Sequence, residues 1–258
     1  MAGFVSFHAP NCYRCPYEKT YPDCRLLCAR ELERTIQFED PETIACLLTE
    51  NTNTGLGIVP PPPGYMEMVR ETCSKYDVLL IADEIITGIA KTGAWFESDK
   101  HGIVPDMLCI GKSISAGVGA LALTHIREPI GRALIECSNV HHGFTYGGLS
   151  YLAAAGLAGL TYVEEHDLLA RAREIEATMR GRLVPLVEQS RVVGDVRTSG
   201  TLQGIELVRS KSTKERFDDP RQVAALISRV GREHGVLLNC QFLHYGNIIT
   251  MYLPLTSS

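Results

Sequence analysis

Two residues stand where a ligand site is easiest to build. Asp83 follows the apolar run Val78–Ala82, and Lys112 follows Met107-Leu108-Cys109-Ile110-Gly111. Each run reads as a short strand buried on both faces. Ligands of open α/β sheets bind outside the carboxyl ends of the strands. A carboxylate and an amine that close two such strands are therefore expected at one place, with the neighbouring Glu84 as a second acidic group facing a ligand. A lysine that closes a buried strand is costly unless its charge is matched or its amine reacts.

That pair has plainer uses. An Asp-Glu step after a strand also serves as a helix N-cap or a surface carboxylate pair. A lysine in Gly-Lys-Ser also serves as a loop charge or a phosphate binder, although the GxxxxGK[ST] spacing is not met because Asp106 stands at the first-glycine position. One cofactor uses an amine and a carboxylate together by its own chemistry. Pyridoxal phosphate forms an imine with a lysine through its aldehyde, and a carboxylate against its ring nitrogen keeps that nitrogen protonated and the ring electron-withdrawing.

The elements that must position these residues follow from patterning. The chain has 258 residues, 45% of them apolar and 21% charged, which is ordinary globular composition with enough length for a sizeable core. Arg25–Ile36 and Gly64–Tyr76 have helical spacing, the latter with Tyr65, Met68, Val69, Cys73 and Tyr76 on one stripe. The four prolines Pro60–Pro63 stop any helix between them. Helix followed by buried strand is the α/β signature. The segment Ser150–Glu165 is apolar all round, too apolar to lie on a surface, and Asp167–Gln189 is one amphipathic helix with Leu168, Ala172, Ile175, Met179, Leu183 and Leu186 on one face. Beyond Ser190 two short strands around a glycine turn, a helix, a strand at Val236–Cys240 and a last strand at Ile248–Leu253 predict a smaller α+β domain.

Charge and cysteine content exclude some classes. With 25 Lys and Arg against 30 Asp and Glu, the net charge of −5 argues against binding by phosphate neutralisation on nucleic acid. No apolar run approaches the ~20 residues needed to span a bilayer, and the start MAGFVSFHAPNCYRC lacks the features of a signal peptide. The expectation is a soluble cytoplasmic protein. Nine cysteines in mostly apolar surroundings read as reduced thiols. Cys12, Cys15, Cys24 and Cys28 have spacing that four zinc-bound thiolates can adopt, but buried or surface thiols are the default reading and no metal site is assigned.

LLIADEIITGIAKTGAWFESDKHGIVPDMLCIGKSISAG resembles the core signature of class III aminotransferases, fold-type I pyridoxal-phosphate enzymes. HHGFTYGG, GDVRTSGTLQGIELV and the PPPPGY segment match as well, in the family's order, so the resemblance covers nearly the whole chain. It implies pyridoxal 5'-phosphate as cofactor. Lys112 would bond covalently to it and shuttle a proton, and Asp83 would pair with its ring nitrogen. Ile85 would pack on one face of the ring. Thr145 would reach the cofactor phosphate of a partner subunit, so that the site belongs to a homodimer. Glu50 and Asn53 match a Glu-Pro-x-Gln segment over the site, and Arg197 matches a structural arginine opening a turn of the small domain.

The chain departs from the family at particular residues. Asn51 stands where proline is usual, Asn53 where glutamine is usual, and Thr250 where many members carry an arginine for a substrate carboxylate, a bidentate pairing threonine cannot make. The Gly-Ser phosphate loop, the stacking aromatic residue and the final helix of the family are not found in the sequence. The resulting expectation is a fold-type I α/β chain truncated at both ends. A partial large domain with a mainly parallel sheet spans 1–165, and a partial α+β domain spans 166–258. The implied function is transamination between an amine or amino acid and a 2-oxo acid, weakened by loss of the phosphate loop. The alternatives are a decarboxylase, lyase or aminomutase of the same family, or a non-catalytic remnant that pairs with a full-length relative.

Overall fold

The computed structural model describes residues 3–137, 143, 145–244 and 246–257. His141, His142 and Phe144 of the HHGFTYGG motif lie outside the described residues. The chain forms two units: Met1–Asn51, Pro61–Ala90 and Ala94–Asp167 make the first, and Thr52–Pro60, Lys91–Gly93 and Leu168–Ser258 the second.

The first unit is built on a four-stranded sheet, β1 (Cys46–Thr49), β2 (Leu79–Asp83), β3 (Met107–Ile110) and β4 (Leu123–Ile126), in that order. β1, β2 and β3 run parallel, and β4 returns antiparallel beside β3. Helices α1 (Leu27–Phe38) and α2 (Tyr65–Lys75) supply the apolar cover. Ala29, Leu32 and Ile36 from α1 meet Tyr65, Met66, Val69 and Cys73 from α2 over Val78 and Leu80. After the proline run, Gly64 at φ 83° lets the chain turn into α2, a left-handed conformation that glycine adopts without a Cβ penalty. Asp106 ties the start of β3 to β2: its carboxylate accepts from the Leu80 amide (2.8 Å), Arg70 (2.6 Å) and Arg127 (3.1 Å).

Three more helices belong to the unit: α3 (Glu97–Lys100), α4 (Glu128–Glu136) and α5 (Ser150–Glu165). α4 has no buried residue and its periodicity escaped the sequence reading. α5 differs from expectation. It buries Leu152, Gly156 and Val163, while Tyr151, Leu157 and Tyr162 are exposed. Composition says how apolar a helix is, but the turn beneath it, with Ile114, Ala116 and Leu121, covers only one stripe.

The second unit pairs helices with an antiparallel sheet of order β5-β6-β8-β7. Its helices are α6 (Leu168–Leu183), α7 (Leu186–Gln189) and α8 (Pro220–Glu233), and its strands β5 (Val193–Ser199), β6 (Leu202–Leu207), β7 (Asn239–Leu243) and β8 (Gly246–Tyr252). The single helix expected over 167–189 is two, because Pro185 lacks the amide that would continue α6. The strand expected at Val236–Cys240 starts at Asn239 instead. Its place is set by the β7–β8 hairpin, which pairs Leu243 with Gly246 and Asn239 with Thr250, and Leu237 is left exposed. α8 begins on an N-cap: Asp219 accepts from the amides of Arg221 (3.0 Å) and Gln222 (2.9 Å), with Pro220 in the first turn. Asp219→Ala is expected to cost about 1 kcal/mol, read as a lower urea midpoint at unchanged slope.

Candidate active site

Parallel pairing brings the sequence-predicted residues to one edge of the first sheet. Thr49 is opposite Ala82 and Asp83 is opposite Cys109, so Glu50, Asp83 and Gly111-Lys112 leave the carboxyl ends of three adjacent strands. The Glu84 amide donates to the Cys109 carbonyl (2.9 Å) and carries the β2–β3 ladder one residue past the strand. Burial pushes the Cys109 thiol up, and the Asp83 carboxylate alongside pushes it further.

Lys112 opens a short 3₁₀ turn, Lys112–Ser115, and is held at φ 44°. A non-glycine residue in that region carries strain of ~1–3 kcal/mol, which persists where the surroundings impose it and gathers at functional positions. The turn is closed by the Ile114 amide to the Gly111 carbonyl (3.2 Å). Lys112 is exposed, and its amine has no hydrogen-bond or ion-pair partner among the described residues. Asp83 is half-buried. One of its oxygens accepts from the Ile85 amide (3.0 Å), a local turn that fixes the carboxylate at the strand end. Ile85 packs over Gly111, where an added Cβ would lie 3.3 Å from Ile85 Cγ2, so the lysine is flanked by a small cradle with an apolar side chain on it.

Thr145 is exposed in a turn ahead of α5. Asn53 belongs to the second unit, bridged to Val59 by a pair of backbone hydrogen bonds, and its side-chain oxygen accepts from the Leu56 amide (2.8 Å). Thr250 is buried within the second sheet, its hydroxyl accepting from Asn239 (3.2 Å). Arg197 is buried as well, bonded to the Gly57 carbonyl, Asp195 and Glu206.

Glu84 does not face a ligand. Adjacent residues of an extended chain point to opposite sides, and Glu84 turns inward, fully buried. Its carboxyl accepts from Asn51 Nδ2 (3.1 Å), Thr87 Oγ1 (3.3 Å), Glu97 N (2.5 Å), Ser98 N (2.8 Å) and Ser98 Oγ (2.6 Å). Burial pushes this carboxyl above its ordinary range, and the Ser98, Glu97 and Thr87 bonds pull it back. The Asn51 amide also donates to Ser98 Oγ (2.8 Å), which leaves its own oxygen buried without a partner. Turning the amide over would aim that oxygen at the carboxylate, so the orphan, at ~1–3 kcal/mol, is the lesser cost. This network was absent from the sequence reading. The alternation at 83–84 was its only signal.

Among the described residues no group of three or more His, Cys, Asp or Glu side chains is placed to hold a metal ion. Cys12, Cys15, Cys24 and Cys28 form no disulfide. Burial pushes the Cys28 thiol up to about 11, with added repulsion from Cys12 and Cys24, which makes it a poor nucleophile. No helix among the described residues is long and apolar enough to cross a membrane.

An unpaired lysine amine and a half-buried carboxylate on neighbouring strand ends, beside an apolar side chain, match the needs of a flat ring that carries an aldehyde and a basic nitrogen. Known proteins resemble this chain over most of its length. The adenosylmethionine-8-amino-7-oxononanoate aminotransferase of Geobacter sulfurreducens is 34% identical over 252 residues, which cover 96% of this chain and 54% of that protein. The leucine/methionine racemase of Thermococcus litoralis is 32% identical over 251 residues, again 96% of this chain and 54% of the relative. An amine transaminase from an uncultivated Pseudomonas species, solved in its PLP-bound form, matches with a TM-score of 0.90 and 35% identity over 96% of this chain and 56% of its own. The chain thus spans about half the length of the curated relatives it matches. The family profile described as aminotransferase class-III matches residues 1–258, and the chain belongs to that family.

Proposed function

We propose that these residues form the lysine-bearing part of a pyridoxal-phosphate-dependent transaminase site, which transfers an amino group between an amine or amino acid and a 2-oxo acid. The observation that carries the reading is Lys112, strained and with its amine unpartnered among the described residues, beside the β2 end that bears Asp83. The units then read as the partial cofactor-binding and small domains. The reducing cytoplasm suits nine cysteines that form no disulfide.

When bound, pyridoxal phosphate supplies an aldehyde for amine exchange and a ring that withdraws electrons from the substrate carbon. Lys112 Nζ would hold the group covalently and would carry the proton taken from and returned to the substrate carbon. Asp83 holds a proton on the ring nitrogen, and a carboxylate kept at a strand end is suited to this because its charge need not reorganise. Ile85 offers the ring an apolar face and keeps water from it. Glu50 lies at the third strand end, Asn53 follows in the same segment, and Thr145 is assigned to the phosphate held by a partner subunit, so the working form is a homodimer. With Thr250 buried and bonded to Asn239, a substrate carboxylate is not read there.

Family membership also spans other bond choices, one relative being a racemase. The Lys112–Asp83 pair serves any of them, and product analysis on a panel of amines separates them. Asp83→Ala tests the central assignment. Activity is expected to fall far more than cofactor retention, measured by amino-transfer rate against bound-cofactor absorbance. Equal activity in the variant would remove Asp83 from the site.

A further inference from the structure

Glu84 and Asn51 join two strand ends that the proposed site uses. Glu84 is the residue after Asp83 at the end of β2, and Asn51 is the residue after Glu50 at the end of β1. The 3.1 Å bond from Asn51 Nδ2 to Glu84 Oε1 therefore links the two ends one residue past Glu50 and Asp83. The same carboxylate takes the Glu97 and Ser98 amides at the start of α3, a third segment with its own anchor in the unit. Both side chains are buried, Glu84 fully and Asn51 to within 1%. The network is closed. Every bond at the Glu84 carboxylate comes from a donor, and Asn51 keeps its amide on Glu84 and Ser98 although its own oxygen stays unpaired.

We propose that Asn51 and Glu84 are positioning residues of this site, a buried clamp that sets where the Asp83 carboxylate stands relative to the β1 end and to Lys112. The inference rests on the transaminase reading above. Hydrogen bonding at a carboxylate fixes the backbone that carries it, and Asp83 has only one backbone step to Glu84. A change in the clamp is therefore passed to Asp83 with little loss, whereas a change at Thr87, which donates to the same carboxylate from the turn beyond, leaves the β1–β2 link intact.

The test compares the unaltered 258-residue chain with Asn51→Ala, Glu84→Gln and Thr87→Val. Each is titrated with pyridoxal phosphate at one pH, and the visible band of the bound cofactor is recorded. Borohydride reduction and peptide mapping then give the fraction attached to Lys112. Folding is checked by far-UV circular dichroism and a urea midpoint. Asn51→Ala and Glu84→Gln are expected to raise the half-saturating cofactor concentration about tenfold, a usual penalty for removing a partner behind a ligand-holding residue. They are also expected to shift the visible band toward the form with an unprotonated ring system. Thr87→Val is expected to lower the urea midpoint while leaving band and half-saturation within about twofold. Asn51→Ala keeps the buried charge, and it carries the test if Glu84→Gln does not fold. Unchanged band and half-saturation in both clamp variants would overturn the positioning role and leave the transaminase reading standing. An equal change in Thr87→Val would reduce the clamp to general stability and overturn it too. A native chain that labels no more at Lys112 than at its other lysines would overturn the transaminase reading and this inference together.

Discussion

Lys112→Ala is expected to abolish the borohydride-trapped cofactor adduct at residue 112 and to lower amino-transfer by at least ~10³-fold, the scale seen when a covalent group of a catalytic unit is removed. The argument is geometric. Among the described residues at the three strand ends, Lys112 carries the amine that can form an imine with an aldehyde, and the Asp83 carboxylate cannot take its place. Stability should not change. At φ 44° the lysine backbone is strained, and alanine is no better suited to that region, so strain itself gives no relief. Loss of an unpaired cation beside the strand ends costs nothing in contacts, since the amine makes none with the described residues. A variant with native circular dichroism, an unchanged urea midpoint and no label at 112 is the expected result. Lys112→Ala with normal turnover would move the reacting amine elsewhere. Lysine labelling by peptide mapping decides where.

The contrast between Asp83 and Glu84 shows what was legible in the sequence and why the rest was not. The buried runs before Asp83 and Lys112 announce strands because a strand covered on both faces must be apolar throughout, and parallel strands then bring the residues that follow them to one edge. That much needs only local pattern and one topological rule. Glu84 lies next to Asp83 in sequence, and its role depends on Asn51 and on 97–98, which no local pattern connects to it. The same limit explains α5, whose outer stripe is exposed, and β7, which slides to match β8. Both are decided by the partner surface rather than by the segment. Lys112's left-handed backbone was hidden too, because the residue type most often found there is glycine and the sequence places one just before it, in extended conformation. The family resemblance, by contrast, was carried by long ordered motifs, and the profile match over 1–258 agrees with it.

Arg197→Met is expected to give the largest loss of stability outside the first unit. The Arg197 side chain is 7% exposed, with Nη1 bonded to Asp195 (2.9 Å) and to Glu206 (2.7 Å), and Nε bonded to the Gly57 carbonyl (3.2 Å). Methionine fills similar volume but removes the guanidinium from two carboxylates, one of them fully buried. Breaking a buried pair from one side costs about 3–5 kcal/mol, because the remaining charge is desolvated without its counter-ion. The pH dependence identifies the mechanism. Burial already pushes the Asp195 carboxyl above its ordinary range, and Arg197 is the main group that pulls it back. Without the arginine the folded-state value rises further. A carboxyl whose folded value lies above its unfolded value gives stability that is present below the unfolded value and lost as pH rises through the folded one. The deficit of the variant should therefore be greatest near neutral pH and shrink as pH falls toward ~4, the ordinary carboxylate range. Urea midpoints of both proteins between pH 4 and 8 measure it. A deficit that stays constant across that range would mean that Arg197 stabilises the second unit by packing and the Gly57 contact, with the buried carboxylates as bystanders.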